Sequence, residues 1–330
     1  MKAVIPIAGS GTRLRPLTHS KPKALLHVGT KPIIAHIVES LLSLGCKKLV
    51  LIVSHESINI SEYLKKKYHN ISVESVLQEE RLGLGHAVSL TRQFVSGEEM
   101  IILYGDTIID GNLTGLLDNS ADAVITVKEV DDPRRFGVVN VENGYIRKFI
   151  EKPENPQSNL AIVGLNYFKS SDALFDCIEE IIAGNVMTKG EYQITDAFQL
   201  MLEHGGLFKS YPVDGWFDCG TPASLLATNR YILEKEQVSA TVPGTIVIPP
   251  VFIPTSAIIK HSIIGPYVSV GENAVIEKSI ITDSIIGSGT KVSNASFNGS
   301  LIGDNALVNE IPRILTIGDN SSLDFDNTIK

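Results

Sequence analysis

Hydrophobic positions over the first two-thirds of the chain follow two alternating patterns. Short apolar runs, typical of strands buried in a sheet, occur at 2–8 (KAVIPIA), 48–54 (KLVLIVS), 71–77 (ISVESVL) and 99–106 (EMIILYGD). Between and after them, apolar residues recur at helical spacing over 32–45, about 57–67, 85–95 and 223–239. Strands that alternate with helices predict a three-layer α/β domain with a mostly parallel sheet.

The pattern changes at about residue 240, where charges become few and short runs of Ile and Val alternate with turns. Ile258, Ile264, Val270 and Ile276 fall six residues apart, and the period slips afterwards. A six-residue aliphatic period indicates a hexapeptide-repeat β-helix, and a β-sandwich of short strands is the alternative.

This change of pattern sets the predicted domain boundary. We predict two domains, 1–239 and 240–330, and a length of 330 residues also favours two domains over one. The polar segment after Ile317 is expected to cap the second domain.

Composition excludes several classes of partner. The net charge of −8 argues against general binding to nucleic acid or to an anionic membrane, since both are polyanions. No apolar run approaches the roughly 20 residues that span a bilayer, and Gly9, Gly11 and Arg13 interrupt the N-terminal run, so we do not expect it to be a signal peptide. Three scattered cysteines predict a reduced, cytoplasmic protein with neither structural disulfides nor zinc.

Positive charge is concentrated at the start of this acidic chain. The first acidic residue is Glu39, and four of the Lys and Arg residues before it lie in the segment 8–28, AGSGTRLRPLTHSKPKALLHV. This segment follows the first buried strand, and its glycines allow backbone amides to approach an anion. Ligands of such sheets bind at the carboxyl ends of the strands. Arg13 and Lys23 are therefore candidates to bind phosphate, because Arg offers a planar fork and Lys a mobile charge.

The same segment resembles the signature loop of the sugar-1-phosphate nucleotidylyltransferases, also called NDP-sugar pyrophosphorylases. The agreement covers A-G-x-G-T-R-L-x-P and the later P-K-x-L-L. The resemblance implies a Rossmann-like nucleotidyltransferase domain followed by a left-handed β-helix. It also implies a triphosphate site formed by Ala8, Gly9, Gly11, Thr12, Arg13 and Lys23.

Later segments resemble the base-reading and metal-binding parts of this family. In QEERLGLGHA, Gln78 would bind a pyrimidine edge and Gly83 would let the base lie against the backbone. YGDT supplies Asp106, implied to bind the nucleotide and Mg²⁺, and GWFDCGT supplies Asp218, the second implied Mg²⁺ ligand. Two carboxylates plus triphosphate oxygens suit this octahedral ion. Without the resemblance, an Asp at a strand end is as typical of a turn or a helix N-cap.

The segment RRFGVVNVENGYIRKFIEKPENPQSNLAIVGLNYF resembles the sugar-phosphate half of the family's site. The residues implied to bind the sugar phosphate are Gly137, Glu151, Lys152, Asn159 and Ile162. Without the resemblance, Glu151 and Lys152 would be an exposed charged pair, and the unit EKPxxPxSN is what gives them a role. In GEYQITDAF, Glu191 and Asp196 either support this pocket or cap the helix that follows.

The reaction that the resemblance implies is nucleotidyl transfer from an NTP to a sugar-1-phosphate, with release of pyrophosphate. The attacking phosphate is already ionised, so we expect catalysis by positioning and charge neutralisation. Arg13 would hold the departing pyrophosphate, Lys23 the triphosphate and Lys152 the nucleophile. We favour dTTP or UTP with glucose-1-phosphate; uridylyl transfer to N-acetylglucosamine-1-phosphate and guanylyl transfer to mannose-1-phosphate are the alternatives.

Two other functions are open to a chain of this architecture. One is a non-catalytic subunit that binds nucleotide sugars, but such subunits usually lack charged site residues that are present here. The other is a bifunctional enzyme whose β-helix is an acyltransferase, which needs a longer helix and a catalytic His, whereas this C-terminal part has only His261. We therefore expect a structural or oligomerising β-helix and a homo-oligomeric enzyme.

Overall fold

The computed structural model describes residues 1–311 and 314–321 of the chain. Its contacts divide the chain into two units, Met1–Val238 and Ser239–Lys330. Each unit has a hydrophobic core of its own. Most of the predicted capping tail, at 322–330, lies outside the described residues.

The first unit alternates strands and helices. Its strands are β1 (Lys2–Pro6), β2 (His27–Val28), β3 (Lys31–Pro32), β4 (Lys48–Val53), β5 (Ser72–Leu77), β6 (Met100–Leu103), β7 (Thr107–Asp110), β8 (Ala123–Glu129), β9 (Gly137–Glu142), β10 (Tyr145–Glu151), β11 (Leu160–Phe168), β12 (Phe208–Pro212) and β13 (Gly215–Asp218). Its helices are α1 (Ile33–Ser43), α2 (Ile60–Lys67), α3 (Leu84–Ser89), α4 (Arg92–Val95), α5 (Asp172–Ala183), α6 (Ile194–Glu203) and α7 (Pro222–Glu236). Over the described ranges of the chain, no helix combines the length and the apolar character needed to cross a membrane.

Nine strands form one sheet in the order β5-β4-β1-β6-β11-β8-β12-β10-β9. The prediction of a mostly parallel sheet is correct for β5, β4, β1 and β6, which helices connect. It is wrong for the other half, where β8 and β12 are parallel but the remaining neighbours pair antiparallel. The reason is connectivity, because the two-residue turn Asn143-Gly144 joins β9 to β10, and a loop without a helix joins β10 to β11.

The helix predicted over 85–95 is two shorter helices, α3 and α4. The Ser89 hydroxyl donates to the His86 carbonyl at 2.8 Å, and the Thr91 hydroxyl donates to the Val88 carbonyl at 2.7 Å. Hydroxyls that bond to helical carbonyls compete with the backbone amides. This competition explains why the helix is interrupted between them.

The sheet brings distant loops to one edge. Val4 and Ile102 are paired in the parallel strands β1 and β6, and both side chains are fully buried. The carboxyl ends of parallel strands lie at the same edge of a sheet. The basic loop, which follows β1, and Asp106, which follows β6, therefore meet there.

In the second unit, short strands form three stacks, and the strands within each stack pair in parallel. The first stack contains β14 (Ile246–Val247), β17 (Ile263–Ile264), β20 (Ile280–Thr282) and β23 (Ser296–Asn298). The second contains β15 (Val251–Phe252), β18 (Val268–Val270), β21 (Ile285–Ile286) and β24 (Leu301–Ile302). The third contains β16 (Ile258–Lys260), β19 (Val275–Glu277), β22 (Lys291–Ser293) and β25 (Leu307–Asn309). Consecutive strands fall in different stacks, which fits a left-handed β-helix and not a sandwich.

The predicted six-residue period holds for three of its four positions. The fully buried ones are Ile264, Val270 and Ile276. The prediction is wrong for Ile258, which is 50% exposed, because Ile259 takes the inward position. Ile246 pairs with Ile263, so this coil takes 17 residues, one short of three full hexapeptides. The shorter coils break a strict hexapeptide register.

Candidate active site

Two clefts meet at the carboxyl ends of β1 and β6. The smaller cleft, of about 220 Å³, lies beside the basic loop, where Gly9 and Lys23 line it. The larger cleft has a volume of about 330 Å³. Its polar lining comprises Arg13, Thr107, Arg135, Glu151, Lys152, Gln193, Thr195 and Asp218. Tyr104 and Asp106 line both clefts, so a ligand that extends from one cleft to the other passes Asp106.

The basic loop contains two 3₁₀ turns, Thr12–Leu14 and Lys23–Leu25. Gly11 has a φ of 59°, and a Cβ there would lie 3.0 Å from Cγ2 of Thr18. The Thr18 hydroxyl donates to the Gly11 carbonyl at 2.8 Å, which closes the loop. A Cβ on Gly9 would meet no atom within 4 Å. Gly11 is thus required by the fold of the loop, whereas Gly9 leaves room for a ligand.

The two predicted metal ligands are neighbours in space. Strands β7 and β13 pair antiparallel, with Thr107 opposite Asp218. The Cys219 amide donates to the Asp106 carbonyl at 3.0 Å. Backbone pairing, rather than side-chain packing alone, therefore holds Asp106 beside Asp218.

Cations surround both carboxylates. The Lys23 ammonium lies 2.5 Å from Oδ2 of Asp106. Burial raises the pKa of the Asp218 carboxyl, the Asp106 carboxylate raises it further, and Lys23, Arg13 and Arg135 oppose the shift. A Cβ on Gly220 would lie 2.7 Å from Oδ1 of Asp218 and 2.8 Å from Nη2 of Arg13. Gly220 therefore allows this guanidinium to approach the carboxylate.

The donor set at the junction fits a magnesium ion. Asp106 and Asp218 offer two hard oxygen ligands, and Mg²⁺ is usually held by one or two carboxylates together with waters and substrate phosphates. Within residues 1–311 and 314–321, no three His, Cys, Asp or Glu side chains cluster as a metal site. Burial raises the pKa of the adjacent Cys219 thiol to about 12, so this thiol stays protonated and is a poor ligand and nucleophile.

A buried carboxylate organises the far end of the larger cleft. Glu151 is paired with Gly137 across β10 and β9, and a Cβ on Gly137 would lie 3.0 Å from Oε2 of Glu151. The Thr195 hydroxyl, in the first turn of α6, donates to this oxygen at 2.8 Å. The Lys152 ammonium lies 3.1 Å from Oε1. Gly137, Glu151, Lys152 and Ile162 line one cleft, as the predicted sugar-phosphate site requires.

Lys152 has an unusual backbone. Its φ is 41°, in the left-handed region that residues other than glycine rarely adopt, and its amide donates to the Phe136 carbonyl at 3.1 Å. Strained backbone of this kind is frequent at functional sites. The left-handed turn follows directly after β10 and brings the Lys152 ammonium back towards Glu151.

Three predicted contacts are not brought to the clefts described above. Gln78 follows the edge strand β5 and is 8% exposed. Gly83 has a packing reason to be glycine, because a Cβ there would lie 2.6 Å from the Tyr192 carbonyl oxygen. The Asn159 amide donates to Glu129 at 2.6 Å on an exposed surface. Their roles towards base and sugar stay predictions, as does that of the buried Ala8 and of Thr12, which begins the first 3₁₀ turn.

Sequence reasoning missed several side chains of the clefts, among them Arg135, Thr195 and Tyr104. Arg135 belongs to the quoted segment, but nothing in the sequence distinguishes it from Arg134, which instead bonds to Asp132. Thr195 lies between the two acids that were singled out in GEYQITDAF, and it is Thr195 that bonds to the buried carboxylate. Tyr104 directly precedes the Gly-Asp pair of YGDT. A basic doublet before a glycine and an aromatic residue at a strand end are the weak signals that could have drawn attention to them.

Comparison with known proteins agrees with this architecture. Residues 2–235 match the family model described as Nucleotidyl transferase. The chain is 33% identical over 360 aligned positions to the low-salt glycan biosynthesis nucleotidyltransferase of Haloferax volcanii, covering 98% of this chain and 99% of that one. It is 35% identical to the UTP–glucose-1-phosphate uridylyltransferase of the same species, covering 73% and 100%. A glucose-1-phosphate thymidylyltransferase of Streptomyces griseus is 28% identical, covering 97% and 98%.

Solved structures resemble most of the chain. A putative glucose-1-phosphate thymidylyltransferase from Bacillus anthracis, in complex with sucrose, superposes with a TM-score of 0.63 at 28% identity, covering 70% of this chain and 95% of that one. A UDP-glucose pyrophosphorylase complexed with UDP-glucose gives a TM-score of 0.63 at 24% identity, which bears on the fold alone. It covers 71% of this chain and 98% of that one. The predicted fold class is confirmed.

Proposed function

The chain belongs to the nucleotidyl transferase family and is a sugar-1-phosphate nucleotidyltransferase, and we propose that it transfers the nucleotidyl group of dTTP or UTP to glucose-1-phosphate. The products would be an NDP-glucose and pyrophosphate. Both bases are retained because relatives named for thymidylyl transfer and for uridylyl transfer match the chain to similar degrees. Relatives named GlmU also match, at 33% identity, but this chain spans 62% of the first of them.

One observation carries this proposal. Two carboxylates, Asp106 and Asp218, lie beside Lys23 and Arg13 at the junction of two clefts, and Lys152 lines the larger cleft together with Asp218. A reaction between two phosphorylated substrates needs such an arrangement, with positive charge for each substrate and a metal site between them. We propose the triphosphate for the smaller cleft and the sugar phosphate for the larger one.

The proposed chemistry is a direct displacement at phosphorus. Lys152 would hold the sugar-1-phosphate so that a phosphate oxygen faces the α-phosphorus of the nucleotide. A bond forms between these two atoms as the bond from the α-phosphorus to the β,γ-pyrophosphate breaks. No general base is required, since the attacking phosphate is ionised at neutral pH.

Neutralisation of phosphate charge and orientation of the two substrates would accelerate the reaction. Arg13 would hold the departing pyrophosphate and Lys23 the triphosphate. A magnesium ion on Asp106 and Asp218 would neutralise the negative charge that two phosphates bring together. Orientation of two bound reactants is worth on the order of 7–11 kcal/mol of the barrier, which is consistent with a site that positions and does not transfer protons.

Pyrophosphate release tests the proposal. The chain is incubated with Mg²⁺ and each of dTTP, UTP, GTP, CTP and ATP against glucose-1-phosphate, N-acetylglucosamine-1-phosphate and mannose-1-phosphate. We expect the fastest release with dTTP or UTP and glucose-1-phosphate. Asp218→Asn, which is nearly isosteric, should lower kcat at least 100-fold while the melting temperature is kept. Faster release with another pair would replace the proposed substrates, and release with none would refute the proposed activity.

A further inference from the structure

The Lys23 ammonium and a metal ion compete for the same oxygen. Lys23 Nζ lies 2.5 Å from Oδ2 of Asp106. A metal cation bound to the same oxygen would lie close to this ammonium and would be repelled by its positive charge. The Lys23 side chain is only 13% exposed, whereas that of Asp106 is 38% exposed. The ammonium is therefore held largely within the protein, whereas the carboxylate is accessible, and a metal that binds to Asp106 through this oxygen has to displace the ammonium.

The second carboxylate is also matched by positive charge. The positive charges of Arg13 and Arg135 both favour the ionised form of the Asp218 carboxyl. The Arg13 guanidinium and this carboxylate both lie against Gly220, which has no side chain to separate them. Together with Lys23 and Asp106, the junction carries three cationic and two anionic side chains. A divalent cation that arrives alone meets a site of net positive charge, which disfavours its binding.

A triphosphate changes this balance, because it brings several negative charges into the smaller cleft. Lys23 lines this cleft, and its four-carbon stem can move the ammonium from the carboxylate to a phosphate oxygen. Gly9 lines the same cleft and leaves it open. One movement of one side chain would thus bind the nucleotide and free a metal ligand.

We propose that Lys23 prevents Asp106 from binding a divalent cation until a triphosphate accepts the Lys23 ammonium, so that metal and nucleotide bind together. The inference rests on the proposed function, since it takes Asp106 as the metal ligand and the triphosphate as the occupant of the smaller cleft. It assigns to Lys23 a role before catalysis, in the order of binding, in addition to any contact with the bound nucleotide.

We call this control of Asp106 by Lys23 the gate. Binding of Mn²⁺ in the absence of any nucleotide tests the gate, and free Mn²⁺ can be measured by electron paramagnetic resonance. Lys23→Met removes the charge and keeps the length of the side chain. We expect it to bind Mn²⁺ at least about tenfold more tightly than the wild type, because an adjacent like charge is removed. Lys23→Gln should change the affinity in the same direction, and thermal melting establishes that each variant is folded.

Two further variants show where the gain arises. Arg15→Met removes one positive charge from the same loop and should change Mn²⁺ affinity less than about threefold, because Arg15 is exposed, lines neither cleft, and exposed charges are screened. Asp106→Asn introduced into Lys23→Met should abolish the gain. The proposal is overturned if folded Lys23→Met and Lys23→Gln bind Mn²⁺ no more tightly than the wild type. It is also overturned if the gain persists without the Asp106 carboxylate.

The gate and the proposed function can fail separately. A wild-type protein that makes a nucleotide sugar, but gains no Mn²⁺ affinity when Lys23 is neutralised, overturns the gate alone. A protein whose Lys23 variants gain Mn²⁺ affinity, while the wild type releases no pyrophosphate with any substrate pair, overturns the proposed function alone.

Discussion

Gly220 lies between two charged groups of the proposed catalytic centre. A Cβ at this position would lie 2.7 Å from the Asp218 carboxylate and 2.8 Å from the Arg13 guanidinium. Both distances are shorter than carbon atoms tolerate, and both neighbours are ends of side chains that can move. A methyl group at Gly220 should therefore shift the Asp218 carboxylate and the Arg13 guanidinium and leave the fold of the backbone unchanged.

Gly220→Ala should lower kcat roughly 100-fold, because a shift of about 1 Å in a positioned group can cost that much. The melting temperature should change by no more than a few degrees, since the atoms nearest to the added methyl are the ends of the Asp218 and Arg13 side chains. Steady-state kinetics and thermal melting measure the two effects. Gly184→Ala, at the end of α5 and outside both clefts, is the matched control and should keep the wild-type kcat. Equal kcat values for the two variants would contradict the assignment of Gly220.

Two substitutions of Lys152 distinguish the strain of its left-handed backbone from the role of its charge. Lys152→Ala and Lys152→Gly both remove the ammonium, so both should raise KM for the sugar-1-phosphate roughly tenfold or more. Glycine adopts the φ of 41° without strain, so Lys152→Gly should be more stable than Lys152→Ala by about 0.5–1 kcal/mol. Urea unfolding and steady-state kinetics test the pair. An unchanged KM in both variants would remove Lys152 from the sugar-phosphate site.

At the residue scale, short motifs singled out individual residues that the structure brings together, and their roles stay predictions. The predicted metal ligands Asp106 and Asp218 are neighbours, and the predicted Glu151 and Lys152 line one cleft. The contacts between residues could not be predicted, because they depend on which strands pair. The Lys23–Asp106 ion pair and the Thr195–Glu151 hydrogen bond each join segments that are remote in sequence.

At the scale of elements, α1 contains a buried titratable group. His36 is 9% exposed, and its Nε2 lies 3.0 Å from the Val28 carbonyl oxygen, to which it donates in the neutral form. Burial lowers the pKa of His36 from 6.5 to about 4, against the opposing effect of the carbonyl. In the unfolded chain the same imidazole takes up a proton near pH 6.5. Between pH 6.5 and pH 4 the unfolded state therefore binds more protons than the folded state.

The first unit should consequently lose stability as the pH falls from 6.5 towards 4. The contribution from His36 is at most about 3 kcal/mol, fully present above pH 6.5 and lost at about pH 4. His36→Gln keeps a donor for the Val28 carbonyl and does not titrate, so its free energy of unfolding should depend less on pH in this window. Urea unfolding at several pH values compares the two. Identical pH profiles would show that His36 does not have the lowered pKa.

Elements were predictable from the chain where their pattern is local. Apolar runs and helical spacing predicted β1, β4, β5, β6 and α1 near their observed bounds. The direction of the strands in the second half of the sheet was not predictable, because a hairpin and a loop replace the crossover helices there. The β-helix was predictable from its aliphatic repeat, but Ile258 was misplaced because the corners between strands have unequal lengths.

At the scale of the whole molecule, the outer surface of the first β-helix stack is unusually apolar. Ile246, Ile263 and Ile280 are aligned in register on adjacent coils, and the first and last are 61% and 49% exposed. The third stack also exposes Ile258 and Leu307, but it carries the charged Lys260 and Glu277 among them. Contiguous exposed apolar residues are typical of protein interfaces. The predicted homo-oligomer would use this first stack.

A charge on the first stack should therefore disrupt assembly. We expect the wild type to sediment as an oligomer and Ile280→Glu to sediment as a smaller species, because burial of an unpaired carboxylate is unfavourable. Ile258→Glu, on the third stack and equally exposed, should leave the assembly intact. Sedimentation velocity of the three proteins distinguishes these outcomes. A monomeric wild type would refute the predicted oligomer, and equal dissociation of both variants would refute the choice of surface.

The central claim concerns which phosphorus is attacked, and one labelling measurement tests it most directly. Glucose-1-phosphate that carries ³²P is incubated with Mg²⁺, the chain and unlabelled dTTP or UTP, and the products are separated by chromatography. Attack by the sugar phosphate on the α-phosphorus predicts that all transferred label appears in the nucleotide sugar and none in pyrophosphate. Label in pyrophosphate or in free phosphate, or label that stays in glucose-1-phosphate with every nucleotide, would contradict nucleotidyl transfer to this sugar phosphate.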